Sequence, residues 1–73
     1  MSIGERAALA IEARAKQNGT SIETECNALG GSRKNHFDWK NRGLNPNAYF
    51  LQQMVLTGYD VIWILTGGMN EDK

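Results

Sequence analysis

The stretch Thr20-Ser21-Ile22-Glu23-Thr24-Glu25-Cys26-Asn27-Ala28-Leu29-Gly30-Gly31-Ser32-Arg33-Lys34-Asn35-His36-Phe37-Asp38-Trp39-Lys40-Asn41 reads as two helices with almost nothing between them. Thr20 or Ser21 supplies a side-chain oxygen for the unpaired N–H groups of a first turn that Glu23 or Glu25 also favours. Ile22, Cys26 and Leu29 mark its inner face before Gly30 ends it. Ser32 caps a second helix that runs to about Asn41, and only Gly30 and Gly31 separate the two. A short apolar-faced helix is thus joined through a very tight turn to a polar helix that projects from the body of the domain.

The phase of the polar helix follows from its one tryptophan. At about 100° per residue, with Trp39 at the centre of the buried face, Ser32, Asn35, His36 and Gly43 lie within about 60° of it, and Phe37 lands about 160° away. Two aromatic rings on opposite sides of one helix cannot share a core. The outward arc holding Phe37 also holds Arg33, Lys34 and Asn41, with Lys40 and Asp38 on its flanks. A helix of this composition suits the major groove of DNA: Arg33 or Lys34 can read guanine, Phe37 can touch a thymine methyl, and Asn41 or Lys40 can hold the backbone.

Working outward, Ser2 to Asn18 carries Ile3, Ala7, Ala10, Ile11 and Ala15 near helical spacing, and Gly19 stands where a left-handed stop belongs. On the other side, Pro46 starts a helix over Asn47 to Thr57 that turns Tyr49, Phe50 and Met54 inward, with Leu51 and Leu56 beside them, and Gly58 closes it. Asp60 caps a last segment. Its apolar run Val61-Ile62-Trp63-Ile64-Leu65 fits a buried strand as well as a helix, but there is no second strand to pair with it, so it is read as helix. The expectation is an all-α protein: a compact bundle of about five short helices forming one domain over residues 1–68, followed by a polar tail over 69–73.

The chain has 73 residues, too few for a second core. One cysteine excludes an internal disulfide, no apolar stretch approaches the roughly 20 residues of a membrane span, and the N-terminus has no signal- or transit-peptide pattern, so a cytoplasmic protein is expected. Net charge is zero, yet Arg33, Lys34, Lys40 and Arg42 face only Asp38 between Gly31 and Asn45, a local +3 offset by −3 elsewhere. Such a segregated patch can hold phosphates while the remaining acidity weakens indiscriminate sticking. One histidine, one cysteine and scattered carboxylates give no nucleophile with a base and orienting group, no phosphate-binding glycine loop and no metal-ligand spacing. No catalytic residue, metal or cofactor is expected, and Cys26 is read as structural.

With these residues in place, the chain resembles the helix-turn-helix domain of phage repressors of the lambda-repressor-like type over most of its length. The matching residues are Ile3-Gly4-Glu5-Arg6, Ala28-Leu29-Gly30, Ser32-Arg33, Trp39-Lys40, Pro46, and Asp60-Val61-Ile62-Trp63-Ile64-Leu65-Thr66-Gly67. The last run is similar to the Asp-Trp-Leu-Leu-Thr-Gly ending of many such domains and is the most specific element. The resemblance implies about five helices, dimeric binding to an inverted-repeat operator, and repression of transcription. It places the base-reading positions at Ser32, Arg33, Lys34, Phe37 and Asp38. The chain departs from the family at Ile22, where a Gln is usual, at Cys26, where a small Ala is usual, and at Glu25 and His36, where aliphatic residues are usual. In this fold Glu25 and His36 would both face the interface between the two helices, where they can pair as carboxylate and imidazolium, or else both reach water.

These readings converge on a sequence-specific DNA-binding regulator, a phage or prophage repressor that takes double-stranded DNA as partner through the helix over 32–42. Arg33 and Lys34 are the first choices for contact, Asn35 and Asp38 second, and Lys40, Arg42 and Asn45 grip the backbone. Arg14 and Lys16 either add phosphate contacts from the first helix or form a solvated charged face, and the solvated face is expected. The chain is either a complete repressor that forms a homodimer through the Trp63 region or the N-terminal part of a larger oligomeric repressor. The alternative is a protein-interaction module, adaptor or antitoxin-like, that keeps the fold without binding DNA.

Overall fold

Four of the five helices among the described residues begin at a residue whose side chain caps the first turn, and at α3 the Asn35 side chain reaches back to Ser32 N–H instead. In the computed structural model, which describes residues 1–68, α1 spans Ile3–Asn18. Ser2 Oγ accepts from Glu5 N at 3.1 Å while Glu5 Oε1 accepts from Ser2 N at 2.7 Å, a reciprocal box that satisfies two otherwise unpaired donors. Gly19 ends α1 at φ 67°, where a Cβ would be strained. α2, Ile22–Ala28, starts at Ser21, whose hydroxyl accepts from Thr24 N at 3.0 Å. α3, Arg33–Asn41, starts at Ser32, whose N–H donates to Asn35 Oδ1 at 2.8 Å.

α4, Ala48–Leu56, is capped by Asn47 and α5, Val61–Thr66, by Asp60, each accepting from a backbone N–H at 3.0 Å. The segment whose apolar run left strand and helix equally open is therefore helical. Among the described residues there is no strand, and no helix is long and apolar enough to cross a membrane. Pro46 precedes the Asn47 cap and is buried, so α4 begins two residues after it.

α1 is the central element and packs against α2, α3 and α5. Ala7, Ile11 and Ala15 recur every four residues on its inner face and are buried with Ala8, and the three small side chains let neighbouring helices approach closely. Cys26, Trp39, Met54 and Ile64, one from each remaining helix, and Leu29 just after α2 complete the core. Phe50 joins α4 to α3 by meeting Trp39 edge-to-face at a 5.2 Å centroid distance. The Cα radius of gyration is 11.5 Å, close to the roughly 11 Å of a compact chain this long.

Arginine side chains tie the C-terminal helices to α1. Arg6 donates to the carbonyls of Ile64 at 2.7 Å and Leu65 at 3.2 Å, at the negative end of α5. Arg14 donates to Thr57 O at 3.0 Å and stacks its guanidinium 3.9 Å from the Tyr59 ring centroid. Arg14 is therefore a structural clamp rather than the solvated charge its position on the first helix suggested.

Two side chains expected inside lie outside: Tyr49 is 52 % and Leu56 70 % exposed. Among the described residues only α5 packs closely along α4, so the apolar residues of α4 outnumber the contacts available to them. Residues 69–73, read as a polar tail, lie outside the described residues.

Candidate nucleic-acid interface

Four backbone-spaced residues, Leu29 to Ser32, connect α2 to α3. Gly30 adopts φ 86° and Gly31 N donates to Cys26 O at 3.0 Å, which turns the chain within one short link. α3 then lies with Trp39 (3 % exposed) and His36 (8 %) against α1 and with Phe37 (53 %) facing out, as the helical phase requires.

The outward side carries two adjacent stripes. Arg33, Phe37, Lys40 and Asn41 line one wall of a shallow groove of about 570 Å³, whose other lining residues are Glu12 of α1, Ile22 of α2 and His36. Lys34, Asp38 and Arg42, one turn apart, form the second stripe. Lys34 Nζ lies 3.1 Å from Asp38 Oδ2 and Arg42 Nη1 lies 3.7 Å from Oδ1. Ser32, Arg33, Lys34, Phe37, Lys40, Asn41 and Arg42 are exposed, so seven of the nine sequence-selected positions are available to a partner.

Asn35 and Asp38 are not. Asn35 is half-buried and its side chain accepts from Ser32 N, holding the start of the helix. Asp38 is 8 % exposed, although Lys40 stands at the same angle from Trp39 on the other flank. The two flanks differ because the chain folds back after α3: Leu44 N donates to Asp38 O at 3.3 Å, and Lys34 and Arg42 lean over the carboxylate. Asp38 is thus an internal counter-charge rather than a reader of bases. Asn45 is also committed, its Oδ1 accepting from Gly4 N at 2.9 Å.

The expected pair of Glu25 and His36 does not form. Glu25 is buried, but its carboxylate accepts from the hydroxyl of Thr20 in the link between α1 and α2 and from Nδ2 of Asn18, the last residue of α1, at 3.4 Å. His36 turns to α1, where its Nε2 meets Glu12 Oε2 at 2.8 Å, and Lys40 Nζ reaches the same oxygen at 2.9 Å. Partial burial disfavours charge on Glu12, but hydrogen bonds from Lys40 and His36 outweigh it and hold the carboxyl below its ordinary value.

Glu12 is the site residue that sequence reasoning missed. Its one signal was a charge set in the alanine-rich face of the first helix, directly after the core residue Ile11.

Burial pushes the Cys26 thiol up, with partial relief from the His36 backbone N–H, and keeps it protonated within the core. Among the described residues no group of three or more His, Cys, Asp or Glu side chains could hold a metal ion. Fold and surface together define a small all-helical protein that presents one polar, cation-bearing helix beside a tight interhelical link. Comparison with protein-family models, curated proteins and solved structures gives no match.

Proposed function

We propose that the protein is a sequence-specific DNA-binding regulator in which α2 and α3 act as a helix-turn-helix and α3 enters the major groove. The observation that carries this reading is the exposed stripe Arg33–Phe37–Lys40–Asn41 on a helix whose opposite face is fixed in the core by Trp39. Guanidinium, ring, ammonium and amide there match the donors and apolar contacts that base edges and phosphates accept. The protein acts by occupancy, needs no cofactor and works in the cytoplasm. It is a phage or prophage repressor on an inverted-repeat operator, bound by two copies or by a larger protein of which this is the N-terminal domain.

Selection from a random duplex library at physiological salt should recover an inverted repeat. Arg33→Ala should then cost at least tenfold in affinity and reduce the salt slope by about one unit.

One observation favours a second reading, a protein-interaction module: Lys34, Lys40 and Arg42 each lie within 4 Å of a carboxylate, leaving an exposed phenylalanine on a surface whose positive charge is partly neutralised. Under that reading the library returns nothing above background, and Phe37→Ala, not Arg33→Ala, abolishes the interaction.

A further inference from the structure

The groove beside α3 holds two cations in different states. Among the described residues Arg33 has no carboxylate within 4 Å, whereas Lys40 is held at 2.9 Å by Glu12. That ion pair is reachable from solvent, with Lys40 48 % and Glu12 28 % exposed. It is also fixed in place: His36, whose side chain is only 10 % exposed, grips the same Glu12 oxygen, so the carboxylate cannot swing out with the lysine. The titratable and charged groups lining the groove are therefore Glu12 from α1 and Arg33, His36 and Lys40 from α3, with none from α2.

Sequence-independent affinity for DNA comes from cations that settle on phosphates and release condensed counterions. A lysine already neutralised by a carboxylate releases less, and the carboxylate it leaves behind repels the duplex. Exchange of Glu12 for a phosphate becomes favourable only where the phosphate sits at hydrogen-bonding distance, which requires α3 to be seated.

We propose that Glu12 is a specificity-determining residue of the α3 surface, which withholds Lys40 from indiscriminate phosphate contact and yields it to a duplex that seats the helix. This rests on the DNA-binding reading above. Glu12 acts through Lys40 and is a positioning residue, not a contact to bases.

The test is a titration of the full chain with a fluorescent duplex of random sequence over a series of salt concentrations. Glu12→Gln, which keeps a hydrogen-bonding partner for His36, should bind this duplex about tenfold more tightly at low salt and steepen the salt slope by about 0.9. Adding Lys40→Gln to that variant should remove both gains. Lys40→Gln in the unmodified background should change the slope by less than about half a unit.

An unchanged slope for Glu12→Gln overturns the proposal, as does a gain that survives Lys40→Gln. A full-unit loss from Lys40→Gln alone also overturns it, and that measurement does not depend on how well Glu12→Gln folds. If Arg33→Ala weakens binding while Glu12→Gln alters nothing, DNA binding stands and the role of Glu12 falls. If the folded, unmodified chain binds no duplex at any salt, both fall.

Discussion

Helices α3 and α4 have the same length and opposite composition, and each is placed against expectation from composition alone. α3, Arg33-Lys34-Asn35-His36-Phe37-Asp38-Trp39-Lys40-Asn41, is almost wholly polar yet buries three of its side chains, and it packs against the central helix. α4, Ala48-Tyr49-Phe50-Leu51-Gln52-Gln53-Met54-Val55-Leu56, is mostly apolar yet fully buries only Met54 and leaves Tyr49, Val55 and Leu56 more than half exposed. What decides placement is whether a helix has one well-aimed anchor, not how apolar it is. Trp39 anchors α3, and Glu12 satisfies the histidine beside it. α4 has Met54 and the edge of Phe50, and among the described residues no further helix covers the rest.

The sharpest way to break this contrast is to remove the anchor. Trp39→Ala should lower the unfolding free energy by about 3–5 kcal/mol, read by urea denaturation, because it empties the space between α1, α3 and Phe50. A loss near 1 kcal/mol would mean that α3 is held by its polar contacts instead.

Next in size is Gly4→Ala. A Cβ there would collide with the Leu44 carbonyl and stand 2.9 Å from that of Trp39, so the loop that closes over the end of α3 must shift. About 1–3 kcal/mol is expected, with α3 amides losing hydrogen-exchange protection before those of α4.

The polar contact is tested by acid. Glu12 has a lowered carboxyl pKa in the folded protein, so its contribution is present above the ordinary value of 4.5 and is lost as pH falls through the folded value. Glu12→Gln should therefore be less stable than the unmodified chain near neutrality, by at most about 1 kcal/mol for so accessible a pair, and the two denaturation profiles should converge in acid.

The smallest effect is expected at the other helix. Leu56→Ser, at a 70 % exposed position, should change stability by less than about 0.5 kcal/mol. A larger loss that depends on protein concentration would show that a second copy covers α4, and would erase the difference between the two helices.

Much of this was legible because it is local. Ser2, Ser21, Asn47 and Asp60 cap within three residues of themselves, Gly19 ends its helix by its own backbone angle, and the opposition of Trp39 and Phe37 follows from 3.6 residues per turn. Those features suffice for five helices, their approximate bounds and the outward face of α3.

Partner choice was not legible, because it joins residues far apart in the chain. His36 and Glu12 are 24 positions apart, and Glu25 was a reasonable candidate until Thr20 and Asn18 occupied it. Asp38 and Lys40 are equivalent on a helical wheel and differ only because α1 lies along one flank and the returning loop along the other. The sequence by itself therefore determined the helices and their phases, through interactions spanning one turn. Lys34 and Arg42 meet Asp38 within α3 at i,i+4 spacing, but that Glu12 takes His36 and Lys40 was settled only where α1 crosses α3.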